Sequence, residues 1–298
     1  MPDFEFPLVY RTFWQRPVTK VAGRVEGSNA HYELEEVMGS GGNGVVVRAV
    51  DSNSGGEVAV KFLLRRTAED NRRFQREIDF LRANDHPAIV SLIDQGVTRG
   101  RTFSGEQAGG RPGRFVDVPF FVMPLADENL LQFLRRKEWR LEPYEYLGNL
   151  TSLADGLAQA HSAGYHRDLK PENILVFGEA WRIADFGLCF VEGAPDGGDP
   201  TMPGVPLGPR YWMSPEAIES LLKNERLENR CSDVFQMGAI FWVVINGHHP
   251  TGVVSRDDWQ GPENLFDPVW QALQWKADRR FPDGSSFRDA INNAIAEA

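Results

Sequence analysis

Cysteine is nearly missing from this chain: there are 2 in 298 residues, Cys189 and Cys231. Two thiols match no zinc spacing and cannot build a disulfide framework, so a reducing compartment is the simplest expectation. Long apolar runs are missing too. The mostly apolar stretch Phe235–Ile245 suits a buried helix and falls short of the roughly 18–20 residues that a bilayer needs. A basic surplus is absent: 32 Lys and Arg stand against 42 Asp and Glu, a formal net charge of −10, which argues against general nucleic-acid binding. No repeat period or dominant low-complexity tract shows, and residues 1–10 carry Asp3, Glu5 and two prolines rather than the features of a signal or transit peptide. The expectation is a soluble, cytoplasmic protein with no nucleic-acid partner and no membrane segment. What is present is ordinary for a globular chain, 42% apolar and 25% charged, with length for one large domain or two lobes.

Residues 1–30 mix Pro, Arg and aromatics without periodicity, and read as an N-terminal extension that is packed on a domain or partly disordered. From Tyr32, short β-branched runs between glycine clusters predict strands over Tyr32–Met38, Val45–Val50 and Glu57–Leu64. Phe74, Ile78 and Leu81 form a helix stripe within Glu69–Ala83. Two more strands are predicted over Ile89–Val97 and Val118–Met123. Between them Thr98–Arg114, glycine-rich with Arg99, Arg101, Arg111 and Arg114 against Glu106, reads as an exposed, mobile loop. Beyond Leu125 helices are predicted over Leu130–Lys137, Pro143–Ala163, Pro215–Leu222, Ser232–Ile245, Pro268–Lys276 and Phe287–Ala296. Short strands fall near Ile174–Val176 and Trp181–Ala184. The plan is α+β: an extension over 1–30, a strand-rich lobe over 31–125 that contains the basic loop 98–114, and a mostly helical lobe over 126–298.

The run Gly39-Ser40-Gly41-Gly42-Asn43-Gly44 sits between two predicted strands. Phosphate recognition needs backbone N–H groups at close range, which glycine permits, but a glycine hairpin without a ligand has the same spacing. The chain continues as a strand through Val45 and Val46, which excludes a dinucleotide-binding turn. Lys61 follows in the β-branched run Val58-Ala59-Val60-Lys61. A strand lysine ordinarily faces solvent; after a glycine loop it can grip phosphate oxygens and pair with a helix glutamate. Glu77 is the best candidate for that glutamate, against the alternative of a solvated helix face.

The densest chemistry lies in His166-Arg167-Asp168-Leu169-Lys170-Pro171-Glu172-Asn173, followed by Asp185-Phe186-Gly187. Moving a γ-phosphoryl group requires an acceptor hydroxyl oriented by a carboxylate, charge neutralisation, and metal ions on the phosphate oxygens. Asp168 suits the first task, Lys170 the second, and Asn173 with Asp185 the third.

These motifs resemble the eukaryotic-like (Hanks-type) serine/threonine protein kinase family, in a form common in bacterial members, from about Tyr32 to the C-terminus. The resemblance implies a two-lobed fold: a small antiparallel sheet lobe with one main helix, a larger helical lobe, and an ATP cleft between them. It implies ATP and Mg²⁺, with Mn²⁺ as an alternative. Lys170 points to the serine/threonine branch. The nucleotide site would comprise Met38, Gly39, Ser40, Gly41, Gly42, Asn43, Gly44, Val46, Ala59, Lys61 and Leu175, with Met123 as gatekeeper. Pro124 would offer its carbonyl and Ala126 its N–H to adenine. Catalysis would fall to Asp168, Lys170, Lys61 and Glu77, and metal binding to Asn173 and Asp185. Asp233 would anchor the catalytic loop, Glu216 would pair with Arg280, and Arg167 would read a phosphate on the activation segment, where Thr201 is a candidate switch.

Three departures stand out. Asn43 replaces an aromatic at the glycine-loop tip, Pro209 replaces a threonine, and the spacing from His161 to His166 is one residue short. No catalytic group is lost, which favours an enzyme over the alternative, a nucleotide-sensing pseudokinase scaffold. Glu172 occupies a position that attracts arginine in basophilic relatives. Arg99 and Arg101 lie three residues before Thr102 and Ser104, which makes these hydroxyls candidates for autophosphorylation in a transient dimer.

Overall fold

The computed structural model describes residues 5–9, 18–41, 44–65, 67–104, 111–192, 210–223, 225, 227–252 and 254–297. The chain divides into two compact units, residues 1–82 with 91–125, and residues 83–90 with 126–298.

The first unit is built from β1 (Glu5–Val9), β2 (Val18–Ala22), β3 (Arg24–Glu26), β4 (His31–Gly41), β5 (Gly44–Asp51), β6 (Glu57–Phe62), helix α1 (Ala68–Ala83), β7 (Asp94–Ser104) and β8 (Arg111–Pro124). The strands form one antiparallel sheet in the order β1-β2-β7-β8-β6-β5-β4-β3. Alternation along β5 and β8 sends Val45, Val47, Val118 and Phe120 into a core shared with Leu8, Val21 and Val25. Helix α1 lays Phe74 against Phe121 of β8, ring centroids 5.3 Å apart. Asp94, at the start of β7, is 3% exposed. It accepts from Ser28 N, Asn29 N and Gln95 N, and from the Tyr32 hydroxyl at 2.9 Å. Burial would raise the Asp94 pKa, but these donors together hold it below the usual carboxylate value. The turn before β4 is thereby tied to β7.

Two expectations are corrected here. Thr98–Arg114 is largely sheet rather than loop, with only residues 105–110 outside the described residues. The physical reason is a partner strand from far away in sequence. β2 pairs with β7 through Val18–Phe103, Thr19–Thr102 and Lys20–Arg101, so both edges of β7 are satisfied. Gly100 permits that approach, since a Cβ there would come within 2.9 Å of Thr19 and Val118 side-chain carbons. Thr102 consequently sits inside the sheet with its hydroxyl donating to the Arg114 carbonyl, not on an extended substrate-like loop. The side chain of Ser104 lies outside the described residues. The second correction concerns Ile89–Val97, where strand pairing begins only at Asp94. Ile89 instead makes a single bridge to Ile183 in the second unit.

The second unit comprises β9 (Glu128–Asn129), α2 (Leu130–Arg136), α3 (Pro143–Ala163), β10 (Gly164–Tyr165), β11 (Ile174–Phe177), β12 (Ala180–Ile183), β13 (Phe190–Val191), α4 (Pro215–Lys223), α5 (Arg230–Asn246), α6 (Glu263–Ala272) and α7 (Gly284–Ala296). Helix α5 is apolar nearly all round, and Val234, Met237, Ala239, Ile240 and Phe241 are wholly buried, as a central helix requires. Asn229 caps its first turn by accepting from Cys231 N at 2.8 Å, and Gly247 at φ 72° ends it. Helix α6 starts earlier than the predicted Pro268–Lys276: Pro268 lies inside it, not in its first turn.

β1 and β2 place Leu8, Val18 and Val21 at 0%, 3% and 2% exposure. A protein starting at Arg24 should therefore lose on the order of 4 kcal/mol or more, because each buried aliphatic side chain stabilises by about 1.5–3 kcal/mol. Thermal denaturation checks this, and an unchanged melting temperature would show that the two strands do not support the unit.

Candidate active site

In the first unit, β6 presents Lys61 on the face opposite Val60 and Phe62, which go to the core. Lys61 does not reach solvent: it is 7% exposed, and Glu77 of α1 is 2% exposed. Its Nζ donates to both Glu77 carboxylate oxygens at 2.7 and 2.8 Å, and lies 5.5 Å from the Phe121 ring centre. A buried pair of this kind stabilises only while both charges remain, so each residue holds the other in place.

The glycine turn joins β4 and β5 with the pairings Gly39–Val46, Ser40–Val45 and Gly41–Gly44. Gly42 and Asn43 lie outside the described residues. Gly44 takes φ 145°, which only glycine adopts readily. No atom lies within 4 Å of where a Gly39 Cβ would sit, so the backbone there borders open space. Met38 is 44% exposed and Val46 half-buried, while Ala59 and Met123 are buried and face each other across β6 and β8. Pro124 ends β8, and Ala126 and Leu175 belong to the second unit.

The second unit gathers Asp168, Lys170 and Asn173. Asp168 is 4% exposed, and its Oδ2 accepts from Lys170 Nζ at 2.6 Å and from Asn173 Nδ2 at 3.0 Å. Asn173 Nδ2 also donates to the Asp168 carbonyl at 2.8 Å, so the amide oxygen of Asn173 is the atom left for other chemistry. Burial raises the Asp168 pKa; Lys170 opposes the shift, and the charge of Asp185 adds to it. Two carboxylates that disfavour each other's charge make a place for a cation. Their oxygens and the Asn173 amide suit a hard ion such as Mg²⁺. Among the described residues no group of three His, Cys, Asp or Glu could hold a metal alone. A Mg²⁺ site of few protein ligands, completed by phosphate and water, is compatible with that.

The loop is held from beneath by Asp233 of α5, which is 0% exposed. It accepts from His166 N, from Arg167 N at 2.7 Å and from His161 Nε2 at 3.0 Å. His161 Nδ1 in turn accepts from Gly284 N at 2.8 Å, which leaves its proton on Nε2 facing Asp233. Burial would raise the Asp233 pKa, but the His161 bond and the charge around it hold it low. Gln236, one turn along, accepts from Leu169 N at 3.1 Å and donates to the Arg167 carbonyl. Arg167 and Asp185 both take left-handed backbone, at φ 74° and 64°, a strained state for non-glycine residues that persists where surrounding bonds over-determine it. His161 and Gln236 were not singled out from sequence. The available signal was position: His161 lies at the end of α3, five residues before His166, and Gln236 lies one turn beyond Asp233.

With this geometry in view, residues 32–291 match the protein kinase domain family. The chain belongs to that family. It is 35% identical over 224 residues to serine/threonine-protein kinase PknK of Mycobacterium tuberculosis, covering 74% of this chain and 18% of that protein. It is 31% identical over 227 residues to PknL of the same organism, covering 74% and 51%. It is also 31% identical over 284 residues to the DNA damage-responsive serine/threonine-protein kinase RqkA of Deinococcus radiodurans, covering 94% and 36%. The chain thus spans from under a fifth to about half of the length of these relatives. β1, β2 and β3 lie outside the matched region, although they complete the kinase sheet.

Another family feature is the bidentate pair in which Arg280 Nη1 and Nη2 donate to Glu216 at 2.7 and 2.9 Å. The remaining Arg280 donors reach the carbonyls of Gln274, Cys231 and Trp275, so all five N–H groups are used. Glu216→Gln should destabilise the protein by about 3 kcal/mol by leaving the Arg280 charge uncompensated. Burial would raise the Glu216 pKa, but Arg280 and Ser232 hold it below the usual value. Its stabilisation is therefore complete above the ordinary glutamate range and is lost as pH falls through the lowered pKa. Denaturant midpoints against pH should show a shallower acid limb in Glu216→Gln, and parallel curves would refute the assignment.

Proposed function

We propose that this chain is an ATP-dependent serine/threonine protein kinase. The observation that carries this reading is the Asp168 cluster, one buried carboxylate bonded to both Lys170 and Asn173 and fixed from below through Asp233. Asp168 orients the acceptor hydroxyl and takes its hydrogen bond, and its raised pKa suits it to receive a proton. Lys170 offsets charge on the group in transfer. Asn173 and Asp185 would hold Mg²⁺, whose chemical contribution is to neutralise the phosphate oxygens. Lys61, steadied by Glu77, offers its ammonium group to phosphate, and the glycine turn would supply backbone N–H donors. For adenine, this reading assigns the Pro124 carbonyl, Met38, Val46, Ala59 and Met123 from the first unit, and the Ala126 N–H and Leu175 from the second. Lys170 favours serine or threonine acceptors. A transient dimer for autophosphorylation requires an acceptor other than Thr102, which is held in β7. No helix among the described residues is long and apolar enough to cross a membrane, and we assign the protein to the cytoplasm.

Incubation with labelled ATP, Mg²⁺ and a mixed protein substrate tests the reading. Asp168→Asn should lower transfer by about 10²-fold or more, the scale of general-base catalysis, while nucleotide binding persists. Nucleotide binding by the unaltered protein without any transfer would favour a scaffold instead. Asp185→Asn should weaken Mg·ATP binding as well as turnover, because a hard anionic ligand becomes a neutral amide. Titration calorimetry at several Mg²⁺ concentrations checks it, and an unchanged Mg²⁺ dependence would remove Asp185 from the metal site.

A further inference from the structure

Arg167, the residue before the base, faces no open solvent: it is 4% exposed. The resemblance to kinases implies that this arginine waits for a phosphate on the activation segment. In the structure its guanidinium packs on two aromatic rings. Helix α3 ends at Ala163 and strand β10 begins at Gly164 with no intervening loop. β10 pairs with β13 so tightly that a Cβ on Gly164 would lie 1.8 Å from the Phe190 carbonyl oxygen. That pairing puts Tyr165 directly opposite Phe190, and their rings stack with centroids 4.8 Å apart and planes at 20°. The Arg167 guanidinium carbon lies 5.4 Å from the Tyr165 centroid and 5.6 Å from that of Phe190, within reach of both π clouds.

The same end of the activation segment is tied down by contacts that involve no phosphate. Glu192 N donates to the Ala163 carbonyl at 3.1 Å, and the Glu192 carboxylate meets Arg230 Nη1 at 3.0 Å. Arg230 Nε in turn donates to the His161 carbonyl. Because Arg167 is left-handed and directly precedes Asp168, fixing its side chain on the rings fixes the backbone from which Asp168 projects.

We propose that the Tyr165–Phe190 ring pair is the positioning element for the Arg167–Asp168 step, and that this kinase consequently transfers phosphate without a phosphorylated activation segment. The inference rests on the kinase reading above. A phosphate dianion would have to draw Arg167 out of a buried contact that already orders it, so phosphorylation has little left to supply.

The hydroxyls between Asp185 and Glu216 are Thr201, Tyr211 and Ser214. Ser214 is 0% exposed and Tyr211 81% exposed, while Thr201 lies outside the described residues. The test compares the unaltered protein before and after phosphatase treatment with the double variant Thr201→Val, Tyr211→Phe, in which rephosphorylation during the assay is blocked. All three should give initial rates within about two-fold of one another. Tyr165→Phe, which keeps the ring, should retain activity. Tyr165→Leu should lose about ten-fold in kcat, the scale of a lost buried cation–π contact, with the KM for ATP unchanged. A ten-fold loss on phosphatase treatment or in the double variant overturns the proposal while the phosphorylated protein still upholds the kinase reading. Full kcat in a folded Tyr165→Leu protein overturns it as well. Should Tyr165→Leu fail to fold, the phosphatase and double-variant comparison still decides. Transfer by no form at all defeats both readings together.

Discussion

The second unit depends on one buried charge. Asp233 carries a carboxylate at 0% exposure, and an unpaired carboxylate there would cost several kcal/mol even after relaxation. It is tolerated because three donors converge on it: the backbone N–H groups of His166 and Arg167, and the His161 ring. Satisfying this anion forces the His166–Asn173 loop to run over α5 in one conformation. It also forces α3 to present His161, whose other nitrogen receives the first N–H of α7. Three helices and the loop therefore meet at one carboxylate.

That constraint explains why strained backbone can persist beside Asp168. Arg167 is held in the left-handed region on both sides, by Asp233 on its N–H and by Gln236 on its carbonyl. His166 reinforces the arrangement, accepting from Asp168 N on Nδ1 and bonding the Ala184 carbonyl through Nε2. Asp185, also left-handed, follows Ala184 directly. The two acidic residues proposed for transfer and metal binding are thus fixed by one hydrogen-bonded path, Asp233 to His166 to Ala184.

The first unit uses the same device twice. Asp94 draws the turn before β4 onto β7 by accepting backbone and phenol donors, and Glu77 draws α1 onto β6 through Lys61. In each case a buried anion is affordable only in one geometry, so it specifies position more than it adds stability. Arg280 is the cationic counterpart in the second unit, with five donors satisfied around Glu216.

Much of this was legible in the sequence, and the part that was has a common physical character. Helix α3 has its expected bounds because Pro143 opens it and Gly164 closes it, and the α1 stripe of Phe74, Ile78 and Leu81 follows from a 3.6-residue period. Asp168, Lys170 and Asn173 lie within six residues of chain, so their convergence needs only one tight loop. Thr98–Arg114 misled because glycine and arginine read as loop when considered alone. Its strands exist because β2, some eighty residues earlier, supplies the missing edge. Likewise Arg167 was legible as a cation next to Asp168, but its partners were not. They follow from a left-handed backbone angle and from a pairing that brings Tyr165 to Phe190 across twenty-five residues. The sequence by itself determined which chemical groups this protein carries and which local elements hold them. Only the tertiary structure decided which charges are spent on internal partners, because burial and long-range pairing arise between segments and not within them.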